Sequence, residues 1–283
     1  MNLTEEIKDN LKGRKRKLVI ISLGAGVQSS TMALKAACGE FPRPDCAIFA
    51  DTGYEPKSVY NYLDYLKDIL PYPVHIVRKG NIKDDMLNSI DNGTRFPTAP
   101  FFTKNADTGK KGMLRRQCTN DYKIQPIRKK IRELCNVGYR KHFPKDQYVE
   151  QWIGISTDEV MRMKPARDKY IHNRHPLIEA KLSRQDCINR IKEKKLLLPE
   201  KSACICCPYR DDKGWLYMKE NNPVEFNNAV EFDKKIRRIN KDDKMENFTH
   251  KSCVPLDQVE FKKEDKSKQI DMFNDECEGM CGV

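Results

Sequence analysis

The sequence predicts an α/β protein organised around a doubly wound, mostly parallel sheet. Three observations carry that expectation. Short apolar runs at residues 18–21, 46–50 and 73–77 alternate with amphipathic helical segments, the pattern of strands covered by helices on both faces. The first run passes through Ser22 into Gly24-Ala25-Gly26-Val27-Gln28-Ser29-Ser30-Thr31, which reads as strand end, tight turn and helix start. The second ends in Asp51-Thr52-Gly53, a carboxylate and a glycine where open α/β sheets bind ligands.

The first turn sets the functional expectation. Gly24 and Gly26 allow backbone angles and close approaches that a Cβ would forbid. Ser29, Ser30 and Thr31 bring hydroxyls to a helix N-terminus, where free N–H groups and the helix dipole favour an anion. A phosphate or sulfate cradle follows; an ordinary βα turn is the alternative. No Gly-Lys-Ser/Thr follows, which excludes the Walker-type loop. The third glycine of the dinucleotide fingerprint is also missing.

The remaining elements follow in order. A helix is expected from about residue 29 to 39, and a second over 55–70 with Val59, Tyr62, Leu63, Leu66 and Ile69 on one face. A short helix fits 82–90. The stretch 95–112, rich in Pro, Gly, Thr and aromatics, reads as a long loop. A basic helix ends near Cys135, and a strand over 148–155 delivers Ser156-Thr157-Asp158-Glu159. Residues 175–178 read as extended, and Ser183 caps a helix reaching Lys194. Helical stretches around Trp215 and over 223–240 follow. The last forty residues look loosely ordered up to the end, Glu276-Cys277-Glu278-Gly279-Met280-Cys281-Gly282-Val283.

Composition narrows the class. The chain has 283 residues, 39% hydrophobic and 33% charged, which suits a globular protein with a heavily charged surface. No apolar run approaches spanning length, and the charged first residues lack a signal-peptide core. A cytoplasmic protein without membrane contact is expected. The net charge of +12 points to an anionic partner, nucleotide, RNA or DNA.

Eleven cysteines in such a chain are a poor fit to a disulfide framework. Cys38, Cys46, Cys135 and Cys187 sit among apolar neighbours and read as core. Cys204-x-x-Cys207, with Cys118 upstream, makes a three-thiolate set, suited to a metal or iron–sulfur site. The fourth ligand is open between Cys206, Cys253, Cys277, Cys281 and an external group. Arg162 and Arg167, after Asp158-Glu159, have the donor forks that bind phosphate or sulfate oxygens. None of the five histidines forms a ligand pair at helical spacing, and no Gly-x-Ser-x-Gly elbow is present.

These residues, taken together, resemble the PP-loop family, in particular the phosphoadenosine phosphosulfate (PAPS) reductase-like proteins found in phages and prophages. Gly24-Ala25-Gly26-Val27-Gln28-Ser29-Ser30 resembles the PP-loop and Asp51-Thr52-Gly53 the second motif. Cys118-Thr119-x-x-x-Lys123-x-x-Pro126-Ile127 is similar to the cysteine stretch of the cluster-bearing reductases. Gly154-Ile155 with Asp158, Glu159 and Arg162 resembles the arginine-bearing motif, and His175-Pro176-Leu177 the family's Tyr-Pro-Leu. Cys204-x-x-Cys207 matches the second cluster pair.

The resemblance implies a Rossmann-like fold of the adenine nucleotide alpha hydrolase (PP-loop) type, with a basic leader over 1–17, a nucleotide-binding domain over 18–200 and a cysteine-bearing extension over 201–283. It implies an adenine nucleotide, ATP with Mg2+ or PAPS/adenylyl sulfate, at Ser22, Gly24, Gly26, Gln28, Ser29, Ser30, Asp51, Thr52 and Gly53. It implies a [4Fe-4S] cluster on Cys118, Cys204 and Cys207, and catalytic roles for Lys123, Asp158, Arg162, Arg167 and Cys277. The expected reactions are adenylylation and sulfur transfer to RNA or DNA, or sulfonucleotide reduction with Cys277 as nucleophile. A reductant or sulfur-donor protein completes the expected partners. A nucleic-acid-binding subunit with a structural cluster is the third reading. Two departures stand out: Gln28 replaces the Asp typical of ATP-hydrolysing members, and Thr119 replaces a second cysteine.

Overall fold

In the computed structural model, residues 11–94, 99–138, 140–239 and 244–262 are described. Five strands form an all-parallel sheet: β1 (Lys15–Leu23), β2 (Cys46–Asp51), β3 (Val74–Arg78), β6 (Gln147–Ile153) and β7 (Ile171–Arg174), in the order β3-β2-β1-β6-β7. This is a Rossmann-like α/β arrangement. β2 and β6 flank β1 on opposite sides, so the strand order reverses at β1. Such a reversal is where open α/β sheets bind ligands, beyond the carboxyl ends of the strands.

Helices α1 (Val27–Ala37), α2 (Lys57–Ile69), α3 (Ile82–Asp91), α4 (Gln125–Leu134) and α5 (Arg184–Glu193) follow the strands. They cover both faces. Ile21, Leu23, Ala47 and Phe49 pack with Met32, Leu63, Leu66 and Ile191 on one side. Ile20, Ile48, Ala50 and Val149 pack with Ile127 and Ile131 on the other. Alternation along β1 and β2 therefore sends successive side chains into two cores.

A second body of structure leans on this sheet. α6 (Asp212–Asn221) and α7 (Pro223–Lys235) bury Trp215, Met218, Phe226 and Phe232 against Tyr54, Met86, Phe101 and Tyr122. A small antiparallel sheet, β4 (Phe102–Asn105), β5 (Lys111–Met113) and β8 (Met245–Phe248), runs in the order β5-β4-β8.

Several expectations need correction. Residues 102–113 form a hairpin rather than a loop, and β8 pairs with β4 across a long stretch of chain. The described part of the last forty residues, 244–262, is therefore structured. Residues 171–174 are an edge strand, and 176–179 are a helical turn rather than an extended piece. β1 begins at Lys15, inside the expected leader. Cys38 is exposed, whereas Cys46, Cys135 and Cys187 are buried as expected. Burial pushes the Cys46 thiol up to about 12 and the Cys187 thiol to about 11, so both stay protonated. Ser183 caps α5 in a reciprocal capping box with Asp186. Among the described residues, no helix is long and apolar enough to cross a membrane.

Candidate functional site

The turn after β1 is held tightly. Gly26 starts α1 with φ −95°, while Ala25 takes the left-handed conformation at φ 55°. The strain thus falls on alanine, a conformation that non-glycine residues keep only when the surroundings enforce it. Ser29 Oγ accepts from Gly24 N–H at 3.2 Å and donates to Gly26 C=O at 3.3 Å. Its hydroxyl closes the loop on itself. Ser30 is fully buried, with its hydroxyl beside that of Tyr62. Gln28 accepts through Oε1 from Arg184 at 2.9 Å, and its buried Nε2 has no partner. Gly154 brings the end of β6 against this turn; a Cβ there would lie 2.7 Å from Ser29 N.

The turn after β2 is equally fixed. Asp51 Oδ1 accepts from Gly53 N–H at 2.7 Å and from Tyr60 Oη at 2.9 Å. Its Oδ2 accepts from Arg78 Nε at 2.8 Å and pairs with the same guanidinium. The expected ligand-binding carboxylate is therefore engaged in holding its own loop. Gly53 has φ 75°, and a Cβ there would sit 2.9 Å from Asn81 Cα. Only glycine suits that position. Ser22, expected with these loops, is buried on β1 in direct register with Ile48 of β2 and Ile153 of β6.

The segment carrying Cys204 and Cys207 bridges the two loops. Ser202 Oγ donates to Gly24 C=O at 2.6 Å. Ile205 N–H donates to Tyr54 C=O at 3.0 Å. Cys204 Sγ lies 3.3 Å from Thr52 Oγ1 and 3.6 Å from Glu55 Oε1. Arg210 donates to the carbonyls of Ala203 and Cys204, both at 3.2 Å, and so fixes the segment from behind.

Across a cavity of about 20 Å³ lie Cys118, Thr119 and Lys123, facing Cys204, Cys206 and Cys207. Cys118 and Thr119 precede a π-helical turn, Asn120–Ile124, that leads into α4; such turns often mark functional sites. Lys123 is buried in the wall, and Arg116 lies over the Tyr209 ring at 5.4 Å. Burial pushes the Cys206 thiol up, with the nearby Cys118 adding to the effect.

The donor chemistry fits a thiolate-held cluster. Yet among the described residues no three Cys, His, Asp or Glu side chains converge as a ready metal site. The cavity holds about one or two waters by volume. Cluster uptake would therefore require the walls of the cavity to part. Cys253, weighed as a fourth ligand, lies instead against Thr103 C=O under β4. Cys277 and Cys281 lie outside the described residues.

The other predicted side chains are placed differently. Asp158 accepts from Arg184 N–H at 2.9 Å and so helps to start α5. Arg162 pairs with Glu159 at 2.6 Å, with both side chains largely buried. Arg167 is exposed, on the loop between Ala166 and Asp168. Hence Lys123 joins the cysteines, while Asp158, Arg162 and Arg167 do not line their cavity.

Sequence reasoning missed Ser202, Arg184, Glu55 and Arg116. Ser202 stands two residues before Cys204, a weak local signal. Arg184 has none, since it reaches Gln28 across 156 positions.

No protein-family model matches the chain, and no curated protein matches it at a significant level.

Proposed function

We propose that the chain is a PP-loop enzyme that binds ATP at the crevice between the Gly24–Ser30 and Asp51–Gly53 turns and activates a nucleic-acid base for sulfur transfer. In this reading the α-phosphorus is attacked by a base carbonyl oxygen and pyrophosphate leaves. The first turn of α1 receives phosphate oxygens, with the buried Gln28 Nε2 still lacking a partner. Lys123 contributes positive charge on the cysteine side. Cys118, Cys204 and Cys207 would hold a [4Fe-4S] cluster, which when bound supplies a site for sulfide or electrons.

The observation that carries the reading is the bridge. Ser202, Cys204 and Ile205 contact both nucleotide-side loops while Cys118 and Lys123 share the cavity. A nucleotide-activated substrate and a sulfur centre would thus meet within one neighbourhood.

A second reading, sulfonucleotide reduction, draws on Gln28. Arg184 fixes its Oε1 and leaves an amide donor, which suits a sulfate or phosphate oxygen and not a metal ion. Turnover on anaerobically purified protein separates the two. ATP and PAPS are offered in parallel, with and without RNA and DNA, and iron and acid-labile sulfide are quantified on the same sample. Pyrophosphate release stimulated by nucleic acid is the expected result. Sulfite from PAPS selects the reductase. Neither product, with iron present, leaves the nucleic-acid-binding subunit.

A further inference from the structure

A concentration of positive charge lies at the opposite end of the sheet from the Gly24–Ser30 turn. Between residues 128 and 145 the chain carries seven lysines and arginines against one acidic residue, Glu133. That short stretch, the end of α4 and the loop after it, supplies half of the net charge of +12.

The fold adds the start of β1 to it. Lys15 N–H donates to Asp146 C=O at 2.6 Å, and Lys17 lies near Cys135, just past the end of α4. The loop is held in place. Arg132 Nη2 donates to Gly138 C=O at 2.8 Å and to Lys141 C=O at 2.5 Å. Phe143 stacks on Tyr170 with ring centroids 4.3 Å apart. Segments 15–17, 129–132 and 140–145 thus meet at one corner. The nine residues of β1 set that corner roughly 26 Å from the Gly24–Ser30 turn.

Part of the charge is balanced internally. Arg128 pairs with Asp168, Lys130 with Glu133 and Arg16 with Glu150. Asp45 and Asp146 lie in the same region, and Asp45 Oδ2 accepts from Val19 N–H at 2.7 Å. Lys15, Lys17, Lys129, Lys141 and Lys145 are exposed, and none of them has an ion-pair partner among the described residues. The dipole of α4 favours cations in its last turn. It does not account for lysines in the loop beyond or on β1.

We propose that this corner grips the phosphate backbone of a nucleic-acid double helix. Five unpaired ammonium groups from three segments suit a ligand with many regularly spaced anions. A single small anion would engage one or two of them. Lysines act as point charges, which suits contact with phosphates and not the reading of bases. Phe143 and Tyr170 are stacked on each other, so neither ring is a platform for the unstacked bases of a single strand. A duplex carries one negative charge per about 1.7 Å of its axis, far denser than an acidic protein surface. The corner anchors the chain whatever reaction the Gly24–Ser30 turn serves, and the proposal does not rest on that reaction.

The test is fluorescence anisotropy on the full chain without ATP. The probes are labelled duplexes of about 20 base pairs, as DNA and as RNA, their single strands, and polyglutamate as an acidic polymer. The expected result is duplex binding whose log affinity falls linearly with log salt concentration, with a slope of about −4 to −5 for five lysines. The surface variant Lys129→Gln/Lys141→Gln/Lys145→Gln should make that slope shallower by about three and weaken binding about tenfold. Lys192→Gln/Lys194→Gln/Lys195→Gln removes the same charge from exposed positions at the end of α5, on the other face of the sheet, and should leave the slope as it is in the parent. No duplex binding, equal losses in the two triple variants, or equal or tighter binding of single strands or polyglutamate would overturn the proposal.

Discussion

At Gly154 the distance between β6 and α1 is set by the absence of one methyl group. An added Cβ would lie 2.7 Å from Ser29 N and 2.8 Å from Ser29 Cα, and these are backbone atoms that cannot swing aside. Gly154→Ala should therefore cost about 1–3 kcal/mol, the usual scale of overpacking, and push the first turn of α1 off its position. Urea unfolding checks the first effect; an unchanged midpoint would mean the two elements separate freely. The same turn shows how far residue types could be read. Its place, between β1 and α1, followed from the glycines and serines. Its strain did not, because Ala25 and not a glycine takes the left-handed conformation. Asp51 and Asp158 were legible as carboxylates at strand ends. That they accept from Arg78, Tyr60 and Arg184 was not, since those partners are fixed by chain reversals that leave no local pattern.

Among elements, β1 and β2 were legible because their apolar runs are continuous and buried on both sides, whereas the edge strand β7 was not. Nor were β4, β5 and β8. They are three or four residues long and read Phe-Thr-Lys-Asn, Lys-Gly-Met and Met-Glu-Asn-Phe, and β8 reaches β4 across a long stretch of chain. The chain just after β8 is anchored by a buried carboxylate on α7. Asp233 Oδ1 accepts from both Thr249 N–H and Thr249 Oγ1 at 2.8 Å, while Oδ2 accepts from Leu256 N–H at 3.2 Å and pairs with Arg237. Removing it strands three donors and a partly buried guanidinium. Asp233→Ala should cost about 3–5 kcal/mol, the range for breaking a buried pair. The loss should be local: hydrogen-exchange protection should fall over residues 245–258 while β1, β2 and β6 keep theirs. Equal protection in variant and parent would show that β4 pairing alone holds β8.

For the whole molecule, the charge balance and the buried histidines act together as the pH falls. His75, His172, His175 and His250 are all held below the ordinary histidine value of 6.5, burial being the largest cause in each. A base whose folded pKa is depressed binds its proton more readily in the unfolded chain. Between the folded value and 6.5 the unfolded state therefore carries more protons, and stability rises with pH. The contribution is fully present above 6.5 and is lost as the pH drops through that value toward the folded ones. Each unit of separation is worth about 1.4 kcal/mol, and the half-exposed His75 counts for less because solvent screens it. His175 and His250, buried at 7% and 3% exposure, should dominate. Protonation also adds positive charge to a chain already at +12, so repulsion works in the same direction. The urea midpoint should fall as the pH drops through about 6.5 toward 5.5, a range where carboxylates with ordinary values hardly titrate. His250→Gln should flatten part of that slope, because Gln cannot take up the proton that the unfolded histidine does. If the midpoint stays level over that range in the parent, the buried rings accept protons without opening the fold, and the burial of His175 and His250 does not govern its acid stability.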